Sequence, residues 1–466
     1  MMGTRARDTG ARVPGVVMLR AIVLLQVSQV LGRGLYILFS FYYINRAFGL
    51  EGKGVWAGLF ALFSILSAAS NLGFEVWLTR EVAGGHICRR GAWTFLLKAK
   101  GPLWAAALAV GAVLCARGGY PPWAAAAFGV ALVIEGIALA EQAIFEGHAQ
   151  AGRIAMMSFL KSGGFALVAL PVALLQPGSL TVFAWIFAGV LLLRAVYGRG
   201  AWDLLPESAT PARPRSWRDF AVMGSFILVT IIYFKVDVLM LGFMQGMAAA
   251  GNYDNAYLFV EGVMFVSAAA GTMLYPRLVQ AAGPAKAKLF DAMYKLILAL
   301  GFCGTLAIGV LGEPLGRLFI GDLFEGAQGA LTVLGFALPV MFVNGLLNRW
   351  LFSEHRERFA LVCALGVAVF NVVGNYFLIP THGPAGAALI TVLTEGLLLA
   401  MWLLWGRRSP GLLVWTLVGF TLLGIVSVLR AYALRGVWVQ VGGLLLFTVL
   451  FVYRVHVFRL VQRGVE

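Results

Sequence analysis

Charge is scarce in this chain: Asp, Glu, Lys and Arg together make up 12% of it, where a soluble domain carries about 25%. Acidic residues are the scarcer kind, 21 against 36 basic, so the net charge is +15. A stripe of basic residues interleaved with aromatics is missing, which argues against nucleic acid as the partner of that charge. Cysteine is scarce too. Cys88, Cys115, Cys303 and Cys363 form no CxxC pair, and three of them fall inside apolar runs, so free thiols are expected and a metal or redox role is not. Three enzyme signatures are absent: the GxxxxGK[ST] phosphate loop, the HExxH metal pair and the GxSxG elbow. No polar gap is long enough for a catalytic domain; the longest, residues 199–218, reads RGAWDLLPESATPARPRSWR. The five histidines, His86, His148, His355, His382 and His456, fall in loops or at helix ends. No enzymatic activity, cofactor or metal is expected. The short basic start, MMGTRARDTGARVPG, lacks a small-residue cleavage site after the first apolar run, so no removable signal is expected.

Apolar sequence is what the chain has in plenty. It is 61% hydrophobic, and the hydrophobic residues come in runs of about 20, enough for a helix to cross roughly 30 Å of hydrocarbon. The ten-residue alternation of a membrane β-barrel is absent. The runs predict an all-α polytopic membrane protein with about fourteen transmembrane helices. They lie near 21–44, 54–78, 99–117, 122–144, 154–175, 179–198, 219–243, 250–275, 290–311, 327–349, 359–379, 384–406, 411–429 and 436–455. Turn chemistry separates them at Gly118-Gly119-Tyr120-Pro121-Pro122, Gln176-Pro177-Gly178, His382-Gly383-Pro384 and Ser409-Pro410-Gly411. With the N-terminus placed in the cytoplasm, Lys and Arg flanking the runs divide 26 inside to six outside. The six are Arg46, Lys53, Arg117, Arg317, Arg430 and Arg435. An even helix count returns the C-terminus to the cytoplasm.

The segment from Gly54 aligns with that from Gly251 at a constant offset of 197, and Arg80 coincides with Arg277 at its end. A second register, offset 205, pairs Arg153 with Arg358 and Gly178 with Gly383. Runs one to six and seven to twelve therefore read as two copies of one unit, related by an axis along the membrane normal. The expected division is an N-terminal six-helix lobe at 1–198, an inter-lobe loop at 199–218, a C-terminal six-helix lobe at 219–406, and two extra helices with a tail at 407–466.

Ionisable groups inside a membrane are costly and mark wet or functional positions. Arg33 stands mid-run between two glycines in VLGRGLYILF, and Lys161 lies in the fifth run. Guanidinium grips phosphate bidentately, so Arg33 is a phosphate ligand, the partner of a bundle carboxylate, or a snorkelling side chain. Glu75 ends the second run, and Glu135, Gln142 and Glu146 share a face of the fourth. The seventh run holds Lys235 and Asp237, and the eighth holds Asp254 and Glu261 on one face. A tight hairpin would bring Asp254 near Lys235, as a structural lock or as a protonatable wall of a cavity. The pairs Asn344/Asn348 and Asn371/Asn375 read as interhelical glue, and Glu395 has no evident partner.

Two stretches carry a resemblance. IYFKVDVLMLGFMQGMAAAGNYDNAYLFVEGVMFVSAAAGTMLYPRL resembles the helix seven–eight hairpin of bacterial polysaccharide flippases, and NVVGNYFLIPTHGPAGAALITVLTE their helix eleven–twelve connection. Lys235, Asp237, Tyr253, Pro276 and Arg277 occupy the motif positions; the turn FMQGMAAAG lacks the acidic residue the family often carries there. The resemblance implies two six-helix lobes around a central cavity lined mainly by helices one, two, seven and eight. It implies movement of undecaprenyl-pyrophosphate-linked oligosaccharide across the bacterial inner membrane for surface polysaccharide synthesis, with both termini cytoplasmic. Substrate-binding candidates are then Arg33, Lys161, Lys235 and Asp237; coupling-ion candidates, for a proton or sodium, are Asp254 and Glu261. Partners would be the lipid-linked oligosaccharide, membrane lipids, and a polysaccharide polymerase or glycosyltransferases. The alternative is a cation-coupled drug or metabolite exporter of the multidrug and toxin extrusion type.

Overall fold

The structure is a computed structural model that describes residues 15–175, 178–207, 217–281 and 283–405. All regular structure among these residues is helical. In hydrocarbon no water can satisfy a free N–H or C=O, so an apolar run must close its hydrogen bonds within itself. The chain runs α1 (Gly15–Phe39), α2 (Asn45–Asn71), α3 (Phe74–Ala83), α4 (Arg89–Phe95), α5 (Gly101–Arg117), α6 (Pro122–Gly147), α7 (Ala151–Phe159), α8 (Phe165–Leu175) and α9 (Leu180–Gly198). It continues through α10 (Trp217–Gln245), α11 (Met247–Gln280), α12 (Gly283–Ile320), α13 (Glu325–Gly335), α14 (Leu338–Ser353) and α15 (Glu357–Trp405). Short π-helical stretches, Ser40–Ile44, Leu96–Lys100 and Leu160–Gly164, join α1 to α2, α4 to α5 and α7 to α8.

The expected runs between residues 21 and 406 fall on these helices, with short breaks at Leu72–Gly73 and Phe336–Ala337. The last two, 411–429 and 436–455, lie outside the described residues. By length and composition, eight helices among the described residues can cross a membrane. Some of these are too long to be straight. Leu24–Asn71 has 48 residues, and a straight helix of that length would measure about 72 Å, more than twice the hydrocarbon thickness. It doubles back at Gly49, whose φ of 64° takes the backbone out of the helix. The Trp56 indole reaches the Tyr36 hydroxyl at 3.2 Å across that bend. Gly383 (φ 52°) does the same inside α15, so that Asn371 donates to Thr394 at 3.3 Å, 23 residues on. Glycine meets no Cβ penalty in this left-handed region. The expected turn at His382-Gly383-Pro384 is therefore real. The polar stretch around Gly49, by contrast, stays helical on both sides of one residue, which puts Arg46 and Lys53 on a helix and not in a loop.

The described segments before and after 208–216 are the first and second halves of the chain. In the first, α6 packs on α9 and α3, and α2 on α5 and α6, around an aromatic core. Trp56 stacks on Phe165 at 5.5 Å, and Phe63 meets Phe187 edge-on at 5.4 Å. In the second half α10 lies on α15, α12 on α14, and α13 on both α11 and α15. Helix α2 also joins the halves, packing on α11 and α10. Small residues make this possible, because membrane helices associate by close packing and not by expelling water. A Cβ on Gly54 would fall inside the Met247 carbonyl, one on Gly251 inside the Leu50 carbonyl, and one on Gly224 inside that of Leu72.

Candidate functional site

The site begins with Arg33. Its neighbour Gly32 sits against the backbone at Gly163, with the Gly163 nitrogen 3.2 Å from where a Cβ would stand, and this lets α1 lie close to the π-helical turn Leu160–Gly164. Arg33 points the other way, out of the first half. Its guanidinium lies 5.4 Å from the Tyr36 ring centroid and pairs with Glu261 on α11. The second oxygen of Glu261 accepts from Lys235 Nζ of α10 at 2.8 Å, and Lys235 rests over the Tyr257 ring. One carboxylate thus holds two cations, one from each half. All three side chains keep some exposure, 26% for Arg33, 20% for Lys235 and 15% for Glu261, so the group is reachable and carries a net charge of +1.

Asp237 does not join it. Two residues after Lys235 on a helix, it faces another way and is 1% exposed. It accepts from the Tyr253 hydroxyl and from the Val238 amide, and lies 3.4 Å from Thr391 Oγ1. Asp237 ties α10 to α11 and α15. As a substrate ligand beside Lys235 it is corrected: two residues along an α-helix turn the side chain by about 200°, which separates them.

Asp254 is corrected in its partner. It pairs with Lys53 of α2 at 2.7 Å, and Lys235 takes Glu261 instead. Lys53 is fully buried and also donates to Ser40 Oγ at 2.5 Å. Nearby, Asn45 and Asn255 exchange amide hydrogen bonds of 2.9 and 2.8 Å. Asp254 and Glu261, two turns apart on one face of α11 as the sequence predicts, therefore both look across to basic residues of the first half. Membrane amide pairs couple by about 1 kcal/mol. A double-mutant cycle with Asn45→Ala and Asn255→Ala, read by unfolding in detergent, is expected to return a coupling energy of about that size.

Lys161 belongs to a second group. It pairs with Glu135 at 2.7 Å, and Glu135 also takes Arg194. Arg194 donates on to Gln142 at 2.7 Å, and Gln142 to Glu146 at 2.9 Å, so the polar face expected on the fourth run is one connected chain. Glu135 and Arg194 are 1% exposed and Lys161 38%. This cluster shares no partner with Glu261. Of the three cations expected to converge, Arg33 and Lys235 do so, while Lys161 serves the first half. Two of the asparagines join helical runs: Asn344 donates to Glu395 Oε2 at 2.6 Å, supplying the partner Glu395 lacked, and Asn371 donates to Thr394 across the α15 bend, while Asn375 donates to Asn371 within its own run at 3.1 Å. None of the four cysteines is in a disulfide, and His86, His148, His355 and His382 lie at turns or at the α15 bend. The side chains of Pro276 and Arg277, and all of His456, lie outside the described residues.

Known folds match this geometry. No family model and no curated protein matches the sequence. Among solved structures, the lipid II flippase MurJ in an inward closed conformation superposes with a TM-score of 0.71 over 93% of this chain and 98% of that one, at 13% identity. A transporter of the MOP superfamily from Pyrococcus furiosus, described as having a binding pocket of reversed polarity, gives 0.61 over 85% and 97%, at 14% identity. An inward-facing multidrug resistance MATE transporter of the same superfamily gives 0.63 over 84% and 97%, at 13% identity. The fold is that of the MOP superfamily transporters.

Within this MOP fold, the residues the sequence did not reveal are Lys53, Arg194, Asn45 and Asn255. Lys53 had a visible signal, since it stands between Gly52 and Gly54 just as Arg33 stands between Gly32 and Gly34. Its glycine-rich surroundings also look like a turn, and that reading placed it in a loop. Lys100 and Arg194, counted among the basic residues flanking the runs, are likewise buried, as is Lys53 on the other side. Taking these three out leaves the charge asymmetry between the two sides intact. Chemically, the Glu261 group is two cations from different halves bridged by one carboxylate.

Proposed function

We propose that this chain is a lipid-linked oligosaccharide flippase. It would move undecaprenyl-pyrophosphate-linked oligosaccharide across the bacterial inner membrane by alternating access, for surface polysaccharide biosynthesis. The observation that carries the reading is the Arg33–Glu261–Lys235 group: partly exposed, net positive, and built from both halves. A pyrophosphate headgroup cannot enter hydrocarbon unaided, and two cations spaced by one carboxylate offer it charge-assisted hydrogen bonds in exchange for Glu261. On α1, the turns before Arg33 carry exposed Leu24, Val27 and Leu31, an apolar surface along which the polyprenyl tail can stay in lipid. The lobes are taken as 1–198 and 219–406, joined by the 199–218 loop and followed by two helices within 407–466, with both termini in the cytoplasm. The reciprocal contacts Gly54 to Met247 and Gly251 to Leu50 support that division, because they are related by the offset of 197 seen in the sequence.

Repeated crossings need the empty carrier to reset, and Glu261 and Asp254 are the carboxylates that would take a proton or sodium to drive that step once their cations turn to substrate. The drug-exporter reading asks for a net-negative pocket. Each of these two carboxylates is already matched by a cation, which disfavours it.

The test is transport in proteoliposomes. The purified protein should flip a fluorescent polyprenyl-diphosphate oligosaccharide, quenched from outside by an impermeant reagent, and should leave a cationic dye such as ethidium undisturbed. Dye transport without lipid flipping would replace the flippase by the exporter. An imposed proton or sodium gradient should accelerate flipping by the native protein. Glu261→Gln or Asp254→Asn should abolish that acceleration; if neither does, the coupling role fails.

A further inference from the structure

The two halves meet closely at one end of the bundle, where α1 passes into α2 and α10 into α11. There residues 45–54 of the first half face residues 247–255 of the second. Three kinds of contact coincide. The backbones touch at Gly54 against Met247 and at Gly251 against Leu50. The amides of Asn45 and Asn255 bond each other twice. Lys53, with no exposure at all, pairs with Asp254 at 2.7 Å.

The backbone contacts are reciprocal. Leu50 and Met247 are repeat equivalents at the offset of 197, and so are Gly54 and Gly251. Each half thus presents the same glycine to the same carbonyl of the other, the signature of a two-fold interface. The crossing of α2 and α11 lies on the axis that relates the halves. No rocking of one half against the other can open this end while that crossing stays in contact. The opposite end, where Gly224 lies against the Leu72 carbonyl, is also close-packed, but no ion pair or amide pair joins the halves there among the described residues.

We infer that the α2–α11 crossing is the gate at this end: the Gly54–Met247 and Gly251–Leu50 backbone contacts seat it shut, and the buried Lys53–Asp254 and Asn45–Asn255 pairs keep it able to open. The inference rests on the alternating-access reading above. The choice of residues has a physical logic. A close-packed, wholly apolar crossing would gain nothing from opening. A buried ion pair pays a desolvation cost when shut and recovers it when water enters, so the shut and open states stay near balance. Glycine at the contact lets the backbones seat without a side chain to wedge them.

Two opposite changes test this. Gly54→Leu puts a side chain where the Met247 carbonyl sits and should hold the gate open. Lys53→Met with Asp254→Leu removes both charges, keeps the crossing apolar and should hold it shut. Spin labels at Glu51→Cys and Glu325→Cys, in protein freed of its four native cysteines, report the separation. Both positions are exposed, on opposite halves, and Gly326 packs against Asn252 beside the crossing. Gly189→Leu, at a position with open space around it, is the control. In nanodiscs without substrate, Gly54→Leu should shift the label distances to longer values, and the Lys53/Asp254 double variant should remove any long-distance population. Distances matching the control in both variants, or moving the same way in both, would overturn the gate. If Gly54→Leu does not fold, the double variant decides alone. Because no substrate is present, the label shifts are independent of cargo. Shifts as expected with no lipid flipping by the native protein would overturn the cargo and keep the gate; flipping without the shifts would do the reverse.

Discussion

Arg33→Ala is expected to slow flipping of the diphosphate-linked lipid about 10- to 100-fold. A charge-assisted hydrogen bond contributes about 1.5–3 kcal/mol, and each 1.4 kcal/mol is a factor of about ten. The arithmetic of charge points the same way. With Arg33 and Lys235 the group is +1; without Arg33 it is neutral, and with Lys235→Ala as well it is a lone carboxylate facing an anionic headgroup. The double variant should therefore be inactive. Arg33→Lys restores the charge without the planar fork and should recover part of the rate. Glu261→Gln frees both cations and should tighten headgroup binding even as it removes ion coupling. The measurement is the initial flipping rate per folded molecule, with thermal unfolding in detergent as the check on folding. Full activity in a folded Arg33→Ala protein would remove the anion site from the mechanism.

Glu135→Leu should do the opposite kind of damage. Glu135 is buried and compensates two cations, Arg194 and Lys161. Removing one partner of a buried pair costs about 3–5 kcal/mol, because the other charge is left in low dielectric without compensation. Arg194, 1% exposed, cannot reach water to recover that loss. The unfolding midpoint should fall steeply, and adding Arg194→Met should restore most of it. Lys161 separates the two roles at this cluster. At 38% exposure it behaves like a half-solvated partner, whose pair contributes about 1 kcal/mol or less. Lys161→Met should thus be mild in stability. If it abolishes flipping all the same, Lys161 is the cavity residue expected from its place in the fifth run; if flipping survives, the cluster only holds α6, α9 and the Leu160–Gly164 stretch together. An unchanged midpoint in Glu135→Leu would show that the cluster is wetter than its burial indicates.

The two predictions differ because the same residue types serve different geometries, and the sequence could not separate them. Arg33 and Lys161 look alike in one dimension: single cations inside apolar runs, within two residues of glycine. What distinguishes them is the partner, 228 residues away for Arg33 and 26 for Lys161. Asp237 shows the same limit more sharply. Its motif position beside Lys235 suggested a shared cavity, yet two helical residues turn it into a buried knot with Tyr253 and Thr391. The face holding Glu135, Gln142 and Glu146 was legible, because helical periodicity alone puts them in line. Its purpose was not legible, because Arg194 comes from another helix. Glu395 and Asn344 repeat the lesson, each conspicuous alone and paired only by the fold.

By itself the sequence determined that this is a multi-pass helical membrane protein. The reason is local: an apolar run in hydrocarbon has no way to satisfy its backbone except as a helix. It also carried the internal repeat, since an offset of 197 needs no coordinates, and it marked the charges that had to be explained. The tertiary structure alone decided how those charges pair. Long-range pairing depends on which helices cross and at what depth. Crossing depth is set by small residues such as Gly54 and Gly251, whose meaning lies in the backbone they admit. That crossing buried Lys53, delivered Asp254 to it, and left Glu261 between Arg33 and Lys235, where the two halves share one carboxylate.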